Sequence, residues 1–215
     1  MKKTLSTFIL AVLAGISIGL GGNVYLALFT TNKIVGAILF TVGLFTICTH
    51  GFNLFTGKAC YILDNKPSYL GTLVVIWLGN LLGTSLMALL VRSTRLAASY
   101  VETAQKLCAG KSQDSYLSLF LLAVLCNILI YIAVEGYKNN PHELGKYLSL
   151  FFGVSVFILS GSEHSVADMY YYAVSGELTS LDSLARILTI SLGNVAGGLL
   201  IPTKKIIIKI GTIGT

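Results

Sequence analysis

Two short polar stretches interrupt apolar segments that are long enough to cross a membrane. They read NLFTGK at 53–58 and SEHSVAD at 162–168. The second contains His164, whose imidazole can change charge near neutral pH. An ionisable side chain near the bilayer centre costs about 2.5–3.5 kcal/mol on the insertion scale, so such residues usually face the interior of a bundle and mark a route for an ion or substrate. These stretches are therefore the candidate site.

Each polar residue also has a structural interpretation. His164 could be a neutral histidine hydrogen-bonded to Thr56 or to a backbone carbonyl, and this role is compatible with proton transfer. Glu163 and Asp168 could donate protons, but we favour a capping role for both, because an acid satisfies the free amide groups of a restarting helix. Lys58 could attract anions or extend its stem toward the membrane boundary.

The composition indicates a membrane protein. Of the 215 residues, 54% are hydrophobic and only 11% are charged, and 22 are glycine against 3 proline. Six apolar windows have about the length, roughly 20 residues or more, that a helix needs to cross the hydrocarbon core. We predict spans at 8–29, 34–63, 70–91, 116–134, 148–174 and 184–201. The basic start of the first resembles a secretory signal, but its apolar run continues through 24–29, so we retain it as a span.

An internal repeat relates the two polar stretches. The motif L-G-N-x-x-G occurs at 78–83 in the third span and again at 192–197 in the sixth. A shift of about the same size carries the interruption at 54–56 into the polar interruption of the fifth span, at 165–168. Each half then consists of an intact span, an interrupted span and a span with the motif, so the fold class is all-α, with six transmembrane helices in a 3+3 inverted repeat. We predict that the interruptions enclose a shared cavity, because non-helical backbone at membrane depth must be buried in protein or line water.

The net charge of +6 does not indicate nucleic-acid binding, because the basic residues fall on both sides of the six spans. One side carries Lys2, Lys3, Lys66, Lys138, Lys146, Lys204, Lys205 and Lys209. The other carries Lys33, Arg92, Arg95, Lys106, Lys111 and Arg186. The small excess on the first side predicts a multi-pass protein of the cell inner (plasma) membrane with both termini in the cytoplasm.

No enzyme motif is present. The chain lacks GxxxxGK[ST], HExxH, GxSxG and a GxGxxG after a strand. The four cysteines, Cys48, Cys60, Cys108 and Cys126, show no metal-ligand spacing and are interpreted as small hydrophobic residues. We therefore expect neither catalysis nor a cofactor or metal. A single integral membrane domain over 1–215 is predicted, with repeat one at about 1–92, an amphipathic connection at about 93–114 and repeat two at about 115–202.

These motifs resemble the formate/nitrite transporter family of pentameric, aquaporin-like anion channels. NLFTGK is similar to that family's second-helix signature, SGSEHSVADMY to its fifth-helix motif and LGNVAGG to its sixth-helix motif. The resemblance covers essentially the whole chain and is closest to the hydrosulfide-channel branch. Ser162 and Asp168 depart from the pattern, since many members have an aromatic residue and an asparagine there, which leaves the substrate preference open.

The resemblance implies a homopentamer with one pore in each protomer and a small anion as substrate. Thr56 and His164 would face each other in the centre, and Lys111 would draw anions in by its positive potential. Asn194 and Asn127 match intramembrane asparagines of the family. Leu44 and Phe157 would form the cytoplasmic constriction, and Leu54 and Phe55 the outer one.

Three functions remain open at this stage. The first is a channel for small anions of weak acids, with hydrosulfide as the favoured substrate and formate or nitrite as the alternative. In this channel His164 exchanges a proton with the anion between hydrophobic constrictions. The second is a proton-coupled transporter with Glu163 and Asp168 in the relay. The third, a purely structural membrane protein, is disfavoured by the polar interruptions.

Overall fold

Ten helices account for most of the residues that the computed structural model describes, 2–204. The helices are α1 (Lys2–Leu28), α2 (Lys33–Phe40), α3 (Val42–His50), α4 (Phe55–Ala59), α5 (Tyr69–Arg92), α6 (Ala97–Gln113), α7 (Tyr116–Asn139), α8 (Glu143–Leu159), α9 (Ser165–Ser175) and α10 (Leu181–Leu200). A short 3-10 turn, Ile62–Asp64, follows α4. There is no strand among residues 2–204, and the predicted all-α class is confirmed.

Within residues 2–204, five helical stretches are long and apolar enough to span a membrane. They are Lys2–Leu28, Lys33–His50, Tyr69–Arg92, Tyr116–Asn139 and Leu181–Leu200. The fifth predicted span, 148–174, is divided into α8 with 17 residues and α9 with 11. Each of these helices is shorter than the five stretches above. The second predicted span is likewise divided, because the chain leaves the helix between α3 and α4. Both predicted interruptions are therefore present.

The two interruptions have the same local structure. Gly51 ends α3 with a φ of 70°, and Gly161 follows α8 with a φ of 71°. Both values lie in the left-handed region, which glycine adopts without steric cost. An extended residue then precedes each new helix, Leu54 before α4 and His164 before α9. The turns carry the chain back into the protein, so that both short helices start in its interior.

Close packing of one helix pair stabilises each half of the repeat. Helix α1 lies against α5, and α7 lies against α10. A Cβ built on Gly83 would come within 2.1 Å of the Val12 carbonyl oxygen, and one built on Gly197 would come within 2.1 Å of that of Val124. Only glycine permits this approach of two backbones. The last residue of L-G-N-x-x-G is thus the contact point in both repeats.

Part of the predicted topology extends past the described residues. Lys205 and Lys209, which contribute to the predicted cytoplasmic excess of charge, lie outside residues 2–204, and so does the end of the predicted domain 1–215. Helix α6 occupies most of the predicted amphipathic connection. The boundaries of the two repeats, like the orientation of the termini, stay predictions.

Candidate functional site

The two polar interruptions meet inside the protein through Thr56 and His164. Oγ1 of Thr56 lies 2.9 Å from Nε2 of His164, although the two residues are 108 positions apart. Both side chains are buried, with 0% and 2% of their surface exposed. The sequence placed these residues at two symmetry-related breaks, and the structure brings them into direct contact.

The hydrogen bonds of His164 define its neutral tautomer. Its Nδ1 accepts a hydrogen bond of 3.1 Å from the backbone N–H of Ala167, which caps the start of α9. Nδ1 therefore carries no proton, and in the neutral ring the proton resides on Nε2 and is donated to Thr56. The Thr56 hydroxyl retains its own hydrogen for another acceptor. The ring also stacks on Phe157, with centroids 5.5 Å apart.

The asparagines of the repeated motif tie the interruptions to the helices. Oδ1 of Asn80 accepts from the N–H of Phe55, and its Nδ2 donates to the carbonyls of Ala11 and Asn53. In the other half, Asn194 makes the corresponding three bonds. Its Oδ1 accepts from the N–H of Ser165, and its Nδ2 donates to the carbonyls of Ala123 and Glu163. Each asparagine satisfies backbone groups that the interrupted helix leaves free.

Asn194 and Asn127 consequently hold the backbone of the site. Nδ2 of Asn127 donates to the carbonyls of Thr56 and Asn194, at 3.1 Å and 2.6 Å. Neither asparagine lines either of the two cavities described below. Asn80 belongs to the same system but was missed as a site residue by reasoning from the sequence. Its position in L-G-N-x-x-G, equivalent to that of Asn194, was the signal that could have found it.

Lys111 is held by two carboxylates. Its ammonium forms ion pairs with Glu163 and, at 2.9 Å, with Asp168. Burial by itself would lower the pKa of the Lys111 ammonium, but the carboxylates of Asp168 and Glu163 raise it above its ordinary value. The lysine therefore remains charged at neutral pH, and the three groups together carry one net negative charge when both acids are ionised. We call Lys111, Glu163 and Asp168 the triad.

The triad replaces the capping role that we favoured for the two acids. The cap of α9 is the ring of His164, and the carboxylate groups of Glu163 and Asp168 point to Lys111 instead. A buried ammonium supplied from α6 competes better for these carboxylates than backbone amides do, because it carries a full charge. Oδ2 of Asp168 is buried and accepts no hydrogen bond from any residue between 2 and 204.

Two cavities approach the contact between Thr56 and His164, one at His164 and the other at the residues that flank Thr56. The first, the triad cavity, has a volume of about 270 Å³ and contains His164 and the triad in its wall. The second, the Lys58 cavity, has a volume of about 100 Å³ and is lined by Leu54, Gly57 and Lys58. Leu54 and Gly57 flank Thr56 in the sequence. The hydrogen bond of Thr56 to His164 thus lies between the cavities.

The apolar residues divide between the cavities differently from the expected constrictions. Phe157 lines the triad cavity together with Phe40, and the two rings pack edge to face with centroids 6.2 Å apart. Leu44 instead lines the Lys58 cavity with Leu54. Phe55 lines neither cavity, because its side chain contributes to a separate apolar groove with Trp77. Leu44 and Phe157 therefore do not share a cavity, and neither do Leu54 and Phe55.

Phe40 is the second site residue that the sequence did not reveal. It is an ordinary apolar residue in an apolar window, and it packs against Phe157 only because α2 lies against α8. The sequence alone does not distinguish Phe40 from an apolar residue that faces lipid. Its burial, with 2% of its surface exposed, is a property of the helix packing.

Comparisons with known proteins agree on one family. The family model described as Formate/nitrite transporter matches residues 1–204. A probable formate transporter from Methanothermobacter thermautotrophicus is 30% identical over 194 residues, which cover 77% of this chain and 71% of that protein. The formate channel FocA of Escherichia coli (strain K12) is 27% identical over 191 residues, covering 79% of this chain and 66% of FocA.

A solved structure shares the fold. The structure described as a pentameric formate channel with formate bound matches with a TM-score of 0.82 and 24% sequence identity. The match covers 97% of this chain and 98% of the other. The arrangement of divided helices described above is therefore the fold of a known membrane channel.

Proposed function

The chain belongs to the formate/nitrite transporter family, and on that premise we propose that it is a channel for small monovalent anions of weak acids with one pore in each protomer. The observation that carries the proposal is the contact of Thr56 with His164 between two cavities. A titratable ring and a hydroxyl lie there, flanked by Phe40 and Phe157 on one side and by Leu44 and Leu54 on the other.

The apolar flanks create the physical problem that the central pair would solve. Moving an ion without its hydration shell through an apolar passage costs far more than moving a neutral molecule. In the proposed mechanism, a weak-acid anion meets the donor groups of Thr56 and His164, receives a proton and crosses a constriction as the neutral acid. The neutral ring has a single proton, on Nε2, because its Nδ1 accepts from the N–H of Ala167. To act as the donor, the ring first takes a second proton from water at Nδ1 and releases the Ala167 N–H. Transfer of the Nε2 proton to the anion then returns the imidazolium to a neutral ring.

The names of the relatives support formate as one substrate, and hydrosulfide and nitrite are the other candidates. All three are small monovalent anions of weak acids, and the central pair contains no group that selects among them by shape. At position 168 this chain has an aspartate where many family members have an asparagine, which changes the charge of the triad cavity. The preference among these anions is left to experiment. The pentameric assembly of the structural neighbour supports a homopentamer, and we propose cytoplasmic termini from the distribution of lysine.

The test is stopped-flow flux into proteoliposomes with formate, nitrite, sulfide and chloride at several pH values. Protein-free liposomes give the background from neutral acids that cross lipid unaided. We expect protein-dependent flux of at least one weak-acid anion, increasing as the pH falls, and little flux of chloride, which cannot accept a proton at these pH values. Equal flux of chloride and the weak-acid anions would overturn the proton-exchange mechanism, and absence of flux for every anion would overturn the channel.

The same measurement separates the channel from a proton-coupled transporter. A channel gives flux that continues to rise with anion concentration, whereas a carrier saturates at a low turnover and moves protons in fixed proportion. Glu163 and Asp168 are both bound to Lys111, so their carboxylates are engaged in ion pairs and neither carboxylate makes a hydrogen bond to Thr56 or His164 within residues 2–204. This arrangement favours the channel.

A further inference from the structure

The two cavities differ in charge. The charged residues that line the triad cavity are Lys33, Lys111, Asp114, Glu163 and Asp168. The Lys58 cavity has only Lys58 and Lys138, and no carboxylate lines it among the described residues. With its three acids ionised the triad cavity has a net negative wall, whereas the wall of the Lys58 cavity is positive.

Lys58 carries the uncompensated charge of its cavity. Within residues 2–204, its ammonium makes no hydrogen bond or ion pair, although the residue is half-buried. Lys138 is different, because its Nζ donates to the hydroxyl of Tyr61 at 2.6 Å and lies 4.2 Å from the centroid of that ring. Tyr61 in turn donates to Glu135. The carboxylate of Glu135 does not line the cavity, but it partly balances the charge of Lys138. Of the two cations, Lys58 is the one without a partner among residues 2–204.

The inverted repeat places opposite charges at equivalent points. Lys58 lies four residues after Leu54, the residue that precedes α4, and Asp168 lies four residues after His164, which precedes α9. Asp168 is paired with Lys111 from α6, but no acid in the described part of the chain, 2–204, pairs with Lys58. A half-buried ammonium with no partner attracts any anion that can reach it, because the surrounding protein screens the charge less than water does.

We propose that the Lys58 cavity is a binding site for a small monovalent anion, held by the Lys58 ammonium beside Leu54 and Gly57. Its volume of about 100 Å³ accommodates such an anion with one or two waters, each of which occupies about 30 Å³. The site lies on the opposite side of the Thr56–His164 contact from the triad cavity. The identity of the anion rests on the proposed function, but the positive site does not.

Cys48 offers a direct measurement of the charge in this cavity. It is half-buried and lines the cavity, whereas Cys60, Cys108 and Cys126 are buried, with at most 2% of their surface exposed. The purified protein is treated with sulfonatoethyl methanethiosulfonate, which is anionic, or with trimethylammonioethyl methanethiosulfonate, which is cationic. The ratio of the two modification rates, divided by the same ratio for a free thiol in solution, reports the local potential, and Cys48→Ser identifies the reacting site.

We expect the anionic reagent to be favoured at Cys48, and Lys58→Gln to reduce the rate ratio about tenfold, since a nearby unit charge acts on the two reagents with opposite sign. Lys58→Arg should retain the high ratio, which separates loss of charge from a folding defect. Lys66→Gln is the matched control, because this exposed lysine belongs to the same predicted membrane side but does not line the cavity. Formate should protect Cys48 in the unmodified protein and in Lys58→Arg, but not in Lys58→Gln.

A rate ratio at or below that of the free thiol, or a ratio unchanged by Lys58→Gln, overturns the inference. These outcomes are independent of transport. If the ratio behaves as expected but no anion crosses proteoliposomes, the proposed channel fails and the site remains. If anions cross but the ratio does not depend on Lys58, the site fails and the channel remains.

Discussion

Nε2 of His164 and Oγ1 of Thr56 are 2.9 Å apart at the meeting point of two interrupted helices. This bond joins the two halves of the repeat at the depth where free polar groups cost most. It also leaves the Thr56 hydroxyl hydrogen available to an anion, because the imidazole supplies the donor of the bond. The same two atoms can therefore stabilise the fold and contact the substrate, and substitutions have to separate these roles.

Thr56→Val should lower both stability and flux. The valine matches threonine in shape but leaves the Nε2–H of His164 buried without an acceptor, which costs about 1–3 kcal/mol. We expect a lower unfolding temperature in detergent and loss of weak-acid flux in proteoliposomes. Thr56→Ser keeps the hydroxyl and is the control, expected to retain most of both properties. Normal flux in Thr56→Val would show that the hydroxyl does not take part in transport.

His164→Asn should separate capping from proton exchange. An asparagine at this position can accept the N–H bond that begins α9, but it cannot titrate. We expect near-normal unfolding together with loss of the pH-dependent part of the flux. His164→Phe loses both the helix cap and the titratable ring. We therefore expect it to unfold at a lower temperature as well, with a free energy of unfolding reduced by about 1 kcal/mol. A pH profile in His164→Asn that matches the unmodified protein would remove the ring from the mechanism.

Asp168→Asn should increase anion entry from the side of the triad cavity. The substitution removes one negative charge from the triad, and the amide oxygen can still accept from Lys111. We expect the initial flux at low ionic strength to rise about threefold or more, and the gain to shrink as salt is added. Lys111→Gln, which leaves two carboxylates without a cation, should reduce flux. Equal flux in both variants would show that the charge of the triad does not control entry.

Asn80→Ala and Asn194→Ala should destabilise the protein to a similar extent. Each removes one acceptor and two donors from buried backbone groups, which should lower the free energy of unfolding by about 3 kcal/mol or more. Asn139→Ala is the control, because its single side-chain bond, to Glu135, is exposed. Denaturant unfolding in mixed micelles provides the measurement. If either variant unfolds like Asn139→Ala, that half of the repeat is not held by its asparagine.

Gly83→Ala should weaken the packing of α1 on α5. The added methyl group would meet the carbonyl oxygen of Val12 at 2.1 Å, so the helices must separate, at a cost of about 1–3 kcal/mol. Gly71→Ala is the matched control in the same helix, since nothing lies within 4 Å of its added Cβ. There we expect a small gain of about 0.5 kcal/mol from helix propensity. Thermal unfolding followed by circular dichroism compares the two, and equal stability would contradict close packing at Gly83.

Much of the fold could be predicted because local sequence decides it. The apolar windows predicted the helices, and the polar stretches at 53–58 and 162–168 predicted the interruptions. Recurrence of L-G-N-x-x-G predicted an inverted repeat with a shared cavity, and the family resemblance placed Thr56 opposite His164 in it. These inferences succeed because burying an unpaired peptide group in lipid is costly for every sequence.

The partners of individual side chains were predicted less well. Lys111 was expected to draw anions by its positive charge, but Glu163 and Asp168 both bind it. Leu44 was expected beside Phe157, yet Phe40 packs there. Spacing along one helix fixes the face and depth of a residue, but it does not fix which residue of another helix lies opposite.

By itself, the sequence determined the apolar character of the spans and the location of both breaks, and its family motifs indicated that Thr56 meets His164. Only the tertiary structure decided that Asn80 and Asn194 are structural ties and that Lys111 is neutralised while Lys58 is not. The physical reason is the separation along the chain of the residues that decide each property. Helix formation and lipid exposure depend on neighbours along the chain, whereas the charge of a cavity depends on side chains that separate helices bring together.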